Sequence, residues 1–181
     1  MNDQKIIIER DCDVISVPNG ERGFLKKGTT VQIMQAKGDS YTVYSDDGLF
    51  RISGINADAI GKEAHELPTI QEDISDEDFE AKVWEQMKTV YDPEIPVSVV
   101  DLGLIYSCVI NKNDSGEYSV DIDMTLTAPG CGMGEILVQD IIDSINLLPR
   151  VSEVNVGLVF FPTWGVHMMS DAARLEVGLT R

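Results

Sequence analysis

The amino-acid sequence predicts an α+β protein in which a small β-rich, barrel-like module precedes a domain with helices packed on a mixed β-sheet. In the first third of the chain, short apolar runs alternate with turn-forming residues, which is typical of antiparallel strands. In the remainder, segments with helical periodicity alternate with segments of strand periodicity, which favours helices layered on a sheet. We therefore predict a β-rich module over 1–67, a linker over 68–74 and the α+β domain over 75–181.

Four short strands are predicted in the first module. Turns rich in glycine, asparagine and aspartate separate them, and the strands cover 14–17, 29–34, 41–44 and 49–52. Strands of this length favour a small antiparallel barrel or a curled sheet. A module of about sixty residues is only marginally stable by itself.

The second domain begins with a helix-start signal. Ser75 is followed three residues later by Asp78, a spacing typical of a capped helix N-terminus. Periodicity then predicts, in order, a helix, two strands, a helix, a strand and a short helix, over 76–90, 99–110, 118–126, 133–147, 151–160 and 172–177.

The chain is strongly acidic, and this excludes several classes of partner. The chain contains 14 Lys and Arg residues and 31 Asp and Glu residues, which give a net charge of -17. Residues 71–181 account for -14 of this charge. Such a charge repels phosphate backbones and anionic membranes, so we expect neither nucleic acid nor a membrane as partner. The sequence contains neither a secretory apolar segment nor a run near the ~20 residues that span a bilayer, which predicts a cytoplasmic protein.

Three cysteines, Cys12, Cys108 and Cys131, are widely spaced and include no CxxC pair. A disulfide framework is therefore not expected, and the thiols should be reduced. Cys12 precedes a predicted strand and Cys108 lies inside one, so packing explains both.

Cys131 differs because it lies where a predicted strand ends and a predicted helix begins. Unpaired N–H groups at a helix N-terminus favour thiolate over thiol. Gly130, Gly132 and Gly134 remove side-chain bulk around the sulfur, so a metal, a cluster or another chain could approach it. The alternative interpretation is a glycine-rich turn that holds a buried cysteine.

Acidic residues and a threonine are the other candidate site residues. Asp92, Glu94 and Asp101 surround two prolines, and such loop acids commonly form turns and caps. Near Cys131 they could instead accept a thiol proton, bind a partner's backbone or offer oxygen to iron. Thr127 could donate a hydrogen bond to a sulfur or a carboxylate, although threonine is also a common strand former.

Four motifs together resemble the MIP18 family, formerly the domain of unknown function 59, over about residues 75–180. They are Asp92-Pro93-Glu94, Asp101-Leu102-Gly103-Leu104-Ile105, Thr127-(x)3-Cys131 and Pro162-x-Trp164. Within that family the chain is most similar to SufT-like members, which have a β-rich N-terminal segment. Most of the family has proline after the cysteine, whereas this chain has Gly132, and this argues against the branch that serves phenylacetyl-CoA oxygenase.

The resemblance implies a role in iron–sulfur protein maturation, with Cys131 as the key residue. It implies that Asp92, Glu94, Asp101 and Thr127 lie around the thiol, and the Pro162-x-Trp164 motif adds Trp164 to this site. Iron or a transient iron–sulfur cluster, held by Cys131 as metal ligand, would be the cargo. The implied partners are the assembly machinery and apo iron–sulfur client proteins.

Three mechanisms remain open from the sequence. The leading one is a carrier, not an enzyme, that holds its cargo on Cys131. Because clusters usually take four thiolates, the other ligands would come from a second protomer in a homodimer, from a small thiol or from a partner. The second mechanism is an adaptor that recruits apo-proteins without binding iron. The third is a cysteine-dependent transferase or hydrolase, which would need a base that no recognised cysteine–histidine motif supplies.

Overall fold

The computed structural model of the chain describes residues 5–17, 19–38, 40–92, 95–128 and 134–179. The chain divides into two compact units, Met1–Leu67 and Pro68–Arg181. The segment 68–74, for which the sequence predicts a linker, begins the second unit. Ile70 and Ile74 within it pack against the core of that unit.

The first unit is a six-stranded antiparallel sheet with the order β1-β4-β5-β6-β2-β3. A 3-10 helix, Gly54–Ile60, follows the last strand, and its Ala59 and Ile60 join the core on the buried face of the sheet. The strands are β1 Lys5–Ile7, β2 Cys12–Val17, β3 Arg22–Leu25, β4 Thr30–Lys37, β5 Ser40–Ser45 and β6 Gly48–Ser53.

The sequence predicts a barrel or a curled sheet for this unit, and of these two forms the closed barrel is wrong for the part that the structure describes. The sheet is open, with β1 and β3 at its two edges, and these edges do not pair with each other. Both edge strands are short, three and four residues, so they offer few backbone groups for closure. The sequence did not predict either strand, because neither shows a sustained alternation of apolar and polar residues.

The second unit confirms the predicted α+β class with helices on a mixed sheet. Its sheet has the order β7-β8-β9, in which β7 is antiparallel and β9 parallel to the central strand. Because β8 and β9 are parallel, helix α2 connects them as a crossover. The elements are α1 Asp76–Met87, β7 Ile105–Lys112, β8 Tyr118–Met124, α2 Gly134–Ile145, β9 Val151–Leu158 and α3 Asp171–Glu176.

Local sequence signals explain the first helix. The Ser75 hydroxyl oxygen accepts a hydrogen bond from the Asp78 N–H at 3.1 Å, so the predicted N-cap is confirmed. Phe79 and Val83 then recur at helical spacing and are fully buried. The Phe79 ring stacks on that of Tyr118, with 3.7 Å between centroids, and this contact fixes α1 on the central strand.

The prediction of a strand from residue 99 is wrong for its first six residues. The N–H groups of Leu102 and Gly103 bond to the carbonyls of Ser98 and Val100 at 2.9 and 3.0 Å, which makes 98–104 a pair of turns. Val99 and Leu102 are fully buried at a spacing of three residues, so the apolar run reflects burial and not an extended strand. We call residues 98–104 the acidic turn, since Asp101 lies at its centre.

Candidate functional site

The stretch that contains Cys131 connects the end of β8 to the start of α2. Leu126 is buried and Ala128 is exposed where the chain leaves β8, and α2 begins at Gly134. A Cβ at Gly134 would lie 2.7 Å from a Leu126 methyl carbon and 3.6 Å from one of Leu158, so a larger residue there would have to displace the Leu126 side chain. The start of α2 therefore packs directly against the residues that end β8 and β9.

Cys131, Gly130 and Gly132 lie outside the described residues, as does Glu94. Their roles stay predictions. Cys131 precedes the first residue of α2 by three positions in the sequence. Thr127, at the start of the connecting stretch, is half-buried.

The Asp92 carboxylate closes its own loop. Its Oδ1 accepts a hydrogen bond from the Ile95 N–H at 2.8 Å, and the Asp92 N–H donates to the Val97 carbonyl at 3.1 Å. The residue is only 7% exposed, so these bonds satisfy groups that water reaches poorly. The turn-forming interpretation of this acid therefore has direct geometric support.

Asp101 connects the acidic turn to the start of α3. Its Oδ2 accepts a hydrogen bond from the Ser98 hydroxyl at 2.8 Å, and its N–H donates to the Ser98 oxygen at 3.0 Å. Its carbonyl accepts a bond from the N–H of Ser170, the N-cap of α3, at 2.8 Å. Asp101 is thus a positioning residue for two segments that are distant in sequence.

The Pro162-x-Trp164 motif lies against the same turn. The Trp164 indole N–H donates to the Leu102 carbonyl at 2.8 Å, although the two residues are 62 positions apart. The Tyr106 hydroxyl donates to the Pro162 carbonyl at 2.7 Å. Trp164 is partly buried, and an indole N–H that packing shields from water needs such an acceptor, so the motif is fixed by a specific bond as well as by packing.

Backbone hydrogen bonds extend this arrangement to the end of β8. The Thr125 N–H donates to the Leu104 carbonyl at 2.8 Å, and the Val159 N–H donates to the Met124 carbonyl at 2.8 Å. The acidic turn, the residues leading to Cys131 and the Trp164 segment therefore meet at one end of the three-stranded sheet. The structure thus brings Asp101, Trp164 and Thr125 to one end of the sheet, whereas their position relative to Cys131, which the family resemblance implies, stays a prediction.

Sequence reasoning missed the partners that hold this end together. Ser98 with Asp101 has the same spacing as Ser75 with Asp78, so the signal used for α1 could have found it. Gly103 has a φ of 70° and lies against the Met168 backbone, a contact between distant segments that no local pattern predicts.

Of the two cysteines that the structure describes, one lies in a hydrophobic core and the other is half-buried against one. Cys12 is 1% exposed in the core of the first unit, and Cys108 packs against that of the second, which confirms the packing interpretation. In the described ranges, no group of three or more His, Cys, Asp or Glu side chains could hold a metal ion.

Burial raises the pKa of the Cys108 thiol to about 11, and the Glu80 carboxylate adds to the effect. At about pH 8 its thiolate fraction should be roughly a hundredfold below that of a thiol at the ordinary value, because the pKa lies two units higher. We expect iodoacetamide to label Cys108 slowly in the folded chain and rapidly in urea, as measured by mass spectrometry of tryptic peptides. Equal rates in both states would contradict this prediction.

Within the described part of the chain, no helix is both long enough and apolar enough to cross a bilayer.

Comparisons with known proteins give a consistent match. A family model described as "Iron-sulfur cluster assembly protein" matches residues 80–156. An "Fe-S protein maturation auxiliary factor" from Porphyromonas gingivalis is 40% identical over 55% of this chain and 90% of its own length. The "Fe-S protein maturation auxiliary factor SufT" of Staphylococcus aureus is 35% identical over 50% of this chain and 99% of its own length. A solved Bacillus anthracis domain of unknown function 59 is 33% identical, with a TM-score of 0.49, over 57% of this chain and 95% of that one.

The chain covers 90% and 99% of the lengths of the two maturation factors, at 40% and 35% identity. The motifs that indicated the MIP18 family include residues inside the matched range, among them Asp92, Asp101 and Cys131. The chain therefore belongs to the iron–sulfur cluster assembly protein family, also known as the MIP18 family.

Proposed function

We propose that this protein is a maturation factor for iron–sulfur proteins and that the Cys131 thiolate holds iron or a cluster during delivery. The similarity to two maturation auxiliary factors, at 40% and 35% identity over nearly their whole lengths, carries the proposal. The segment that contains Cys131 would be the place where the cargo is taken up and passed on.

The packing around this segment supports such a role. Hydrogen bonds from the acidic turn and the contact of Gly134 with Leu126 fix both ends of the connection. A functional group is positioned most accurately when the elements that flank it are rigid. Cys131 lies just ahead of α2, whose unpaired N–H groups favour an anion such as a thiolate.

The number of thiols indicates how cargo would be bound. Clusters usually take four thiolates, whereas Cys12 is buried in one hydrophobic core and Cys108 is half-buried against the other, so Cys131 remains the candidate ligand in each chain. We therefore propose that the other ligands come from a second protomer, a small thiol, the assembly machinery or an apo-protein client. A site shared in this way would release its cargo once the client supplies stronger ligands.

We assign different roles to the residues around the thiol. Asp92 and Asp101 hold their loops by hydrogen bonds to nearby backbone and serine groups, so we assign them positioning roles. Trp164 fixes the neighbouring segment through Leu102. Glu94 and Thr127 are the residues we propose to contact the thiolate or its cargo.

The role can be tested in a strain that lacks the gene, grown under iron limitation. We expect lower activity of an iron–sulfur enzyme such as aconitase, with recovery when the full chain is supplied. A dehydrogenase without a cluster serves as control and should be unchanged. Unchanged aconitase activity in the deletion strain would contradict the proposed function.

A further inference from the structure

The outer face of the three-stranded sheet in the second unit carries acidic residues and, on the strands that the structure describes, no cation. Strand residues alternate between the two faces, and the residues of β8 that alternate with Asp121 and Asp123, such as Val120, are buried in the core on the inner face. Asp121, Asp123 and Glu153 are the charged residues of β7, β8 and β9 on the outer face. Lys112, the one cation of these strands, is in register with a buried residue and bonds to a carboxylate of α1 at 3.1 Å.

The hydrogen bonds of these carboxylates leave their negative charge in place. Asp123 Oδ2 accepts a bond from the Ser107 hydroxyl at 2.8 Å. The Asp121 carboxylate accepts bonds from the side-chain amides of Asn155 at 3.1 Å and Asn111 at 3.5 Å. These donors are neutral, and among the described residues none of the three acidic side chains of the face forms an ion pair. The outer face therefore carries three negative charges that no neighbouring cation offsets.

The strand register gives these charges a regular spacing. Asp121 and Asp123 are two residues apart on β8, so their positions lie roughly 7 Å apart along the strand. Glu153 is opposite Ser119, two residues before Asp121, and thus continues the row in the same direction on β9. Gly157 is opposite Asp123 and has no side chain that could cover this carboxylate. Alternate residues of an extended chain have the same spacing of roughly 7 Å, so basic residues at alternate positions could reach successive carboxylates.

Exposed aromatic residues lie at the Asp123 end of this row. The Tyr106 hydroxyl donates to the Pro162 carbonyl at 2.7 Å, and the next residue of β7 is the hydroxyl donor to Asp123. The loop that follows β9 therefore lies close to this end of the face. In that loop, Phe161 is 89% exposed and Phe160 is 50% exposed. Aromatic residues are enriched where proteins bind each other, and a polar rim commonly surrounds them.

We propose that this outer face is a docking surface for an extended segment of a partner protein, in which basic residues alternate and apolar residues follow. Charge complementarity supports the basic residues, and the exposed phenylalanines support the apolar ones. Charge argues against a nucleic acid and against a second copy of this chain, because phosphates and a copy of net charge -17 would both be repelled. The proposal concerns docking alone and does not depend on iron binding by Cys131.

The test is fluorescence anisotropy of the full chain with a labelled peptide in which lysine alternates with serine and a leucine and a phenylalanine follow. We expect binding that weakens with added salt, and we expect Asp121→Asn with Asp123→Asn to weaken it about tenfold or more. Glu63→Gln with Glu66→Gln makes the same change in net charge in an exposed segment of the first unit, and should alter affinity by less than about twofold. Equal binding by these two double variants, or no binding by the wild-type chain at low salt, would overturn the proposal.

A second variant tests the apolar part and guards against misfolding of the aspartate variant. Phe161→Ser changes a highly exposed residue and should weaken binding about fivefold or more while circular dichroism stays unchanged. Leu67→Ser removes an apolar side chain that is 59% exposed in the first unit, and should bind the peptide as the wild-type chain does. Equal binding by Phe161→Ser and Leu67→Ser would contradict the proposal. So would tighter binding of a peptide with glutamate in place of lysine, or a dimer, seen by ultracentrifugation, that Phe161→Ser dissociates, since a second copy would then occupy the face.

Discussion

Cys131→Ala is expected to abolish most of the recovery of aconitase activity in the deletion strain, at expression matched to the wild-type chain. The proposed mechanism places the cargo on this thiolate, and alanine offers no ligand in its place. Removing residues that merely orient a metal ligand typically costs 10–100-fold, so losing the ligand itself should lower the recovered activity by about tenfold or more.

Cys108→Ala is the matched control, because it also removes one thiol. Cys108 is half-buried, packs against the core, and has a pKa raised to about 11 by burial, so it is protonated at neutral pH. We expect this variant to restore activity nearly as well as wild type. Equal recovery with Cys131→Ala would contradict the carrier mechanism and favour the adaptor, in which the protein recruits apo-proteins without binding iron.

Gly103→Ala is expected to destabilise the second unit by about 3 kcal/mol, combining backbone strain with overpacking. Gly103 has a φ of 70°, which side chains other than glycine rarely adopt. Its added Cβ would overlap the Met168 carbonyl and lie 2.8 Å from the carbonyl carbon, so the acidic turn and the 164–170 segment would separate. This separation should weaken the hydrogen bonds from Ser170 to Asp101 and from Trp164 to Leu102.

Gly178→Ala is the control that measures backbone strain without steric overlap, for comparison with Gly103→Ala. Gly178 has a φ of 76°, and its added Cβ would meet nothing within 4 Å, so this variant should cost only about 1 kcal/mol. Urea unfolding followed by tryptophan fluorescence measures both, because Trp84 and Trp164 are the chain's two tryptophans and both lie in the second unit. Equal costs for the two variants would show that the contact with Met168 contributes nothing.

Local signals predicted much of the fold. The Ser75 cap and the periodicity of α1 and α2 identified these helices, and the alternation in β8 identified the central strand. Local signals failed at Val99 and Leu102, where a strand was predicted but the chain forms turns. These residues are apolar because they are buried, and not because they belong to a strand. Local signals also could not decide between a barrel and an open sheet in the first unit, because closure depends on the pairing of strands that are distant in sequence.

The site was predicted less completely, and for a related reason. The motifs identified Asp92, Asp101 and Trp164, but their hydrogen bonds join segments that only the folded chain brings together. The carboxylates of Asp92 and Asp101 accept hydrogen bonds from groups in their own loops. The sequence alone could not distinguish this arrangement from one in which the carboxylates point toward a cargo. Gly103 was part of a motif without a stated role, and its contact with Met168 supplies one.

The bond between Trp164 and Leu102 also affects how the protein is made. It joins residues 62 positions apart, and the parallel pairing of β8 with β9 forms only after α2 has crossed between them. During synthesis, the Trp164 segment emerges well after Cys131, and contacts of such long range form late. A nascent chain therefore presents its thiol before the surrounding structure exists, so the loading of Cys131 that we propose should follow the folding of residues 159–170 onto the sheet.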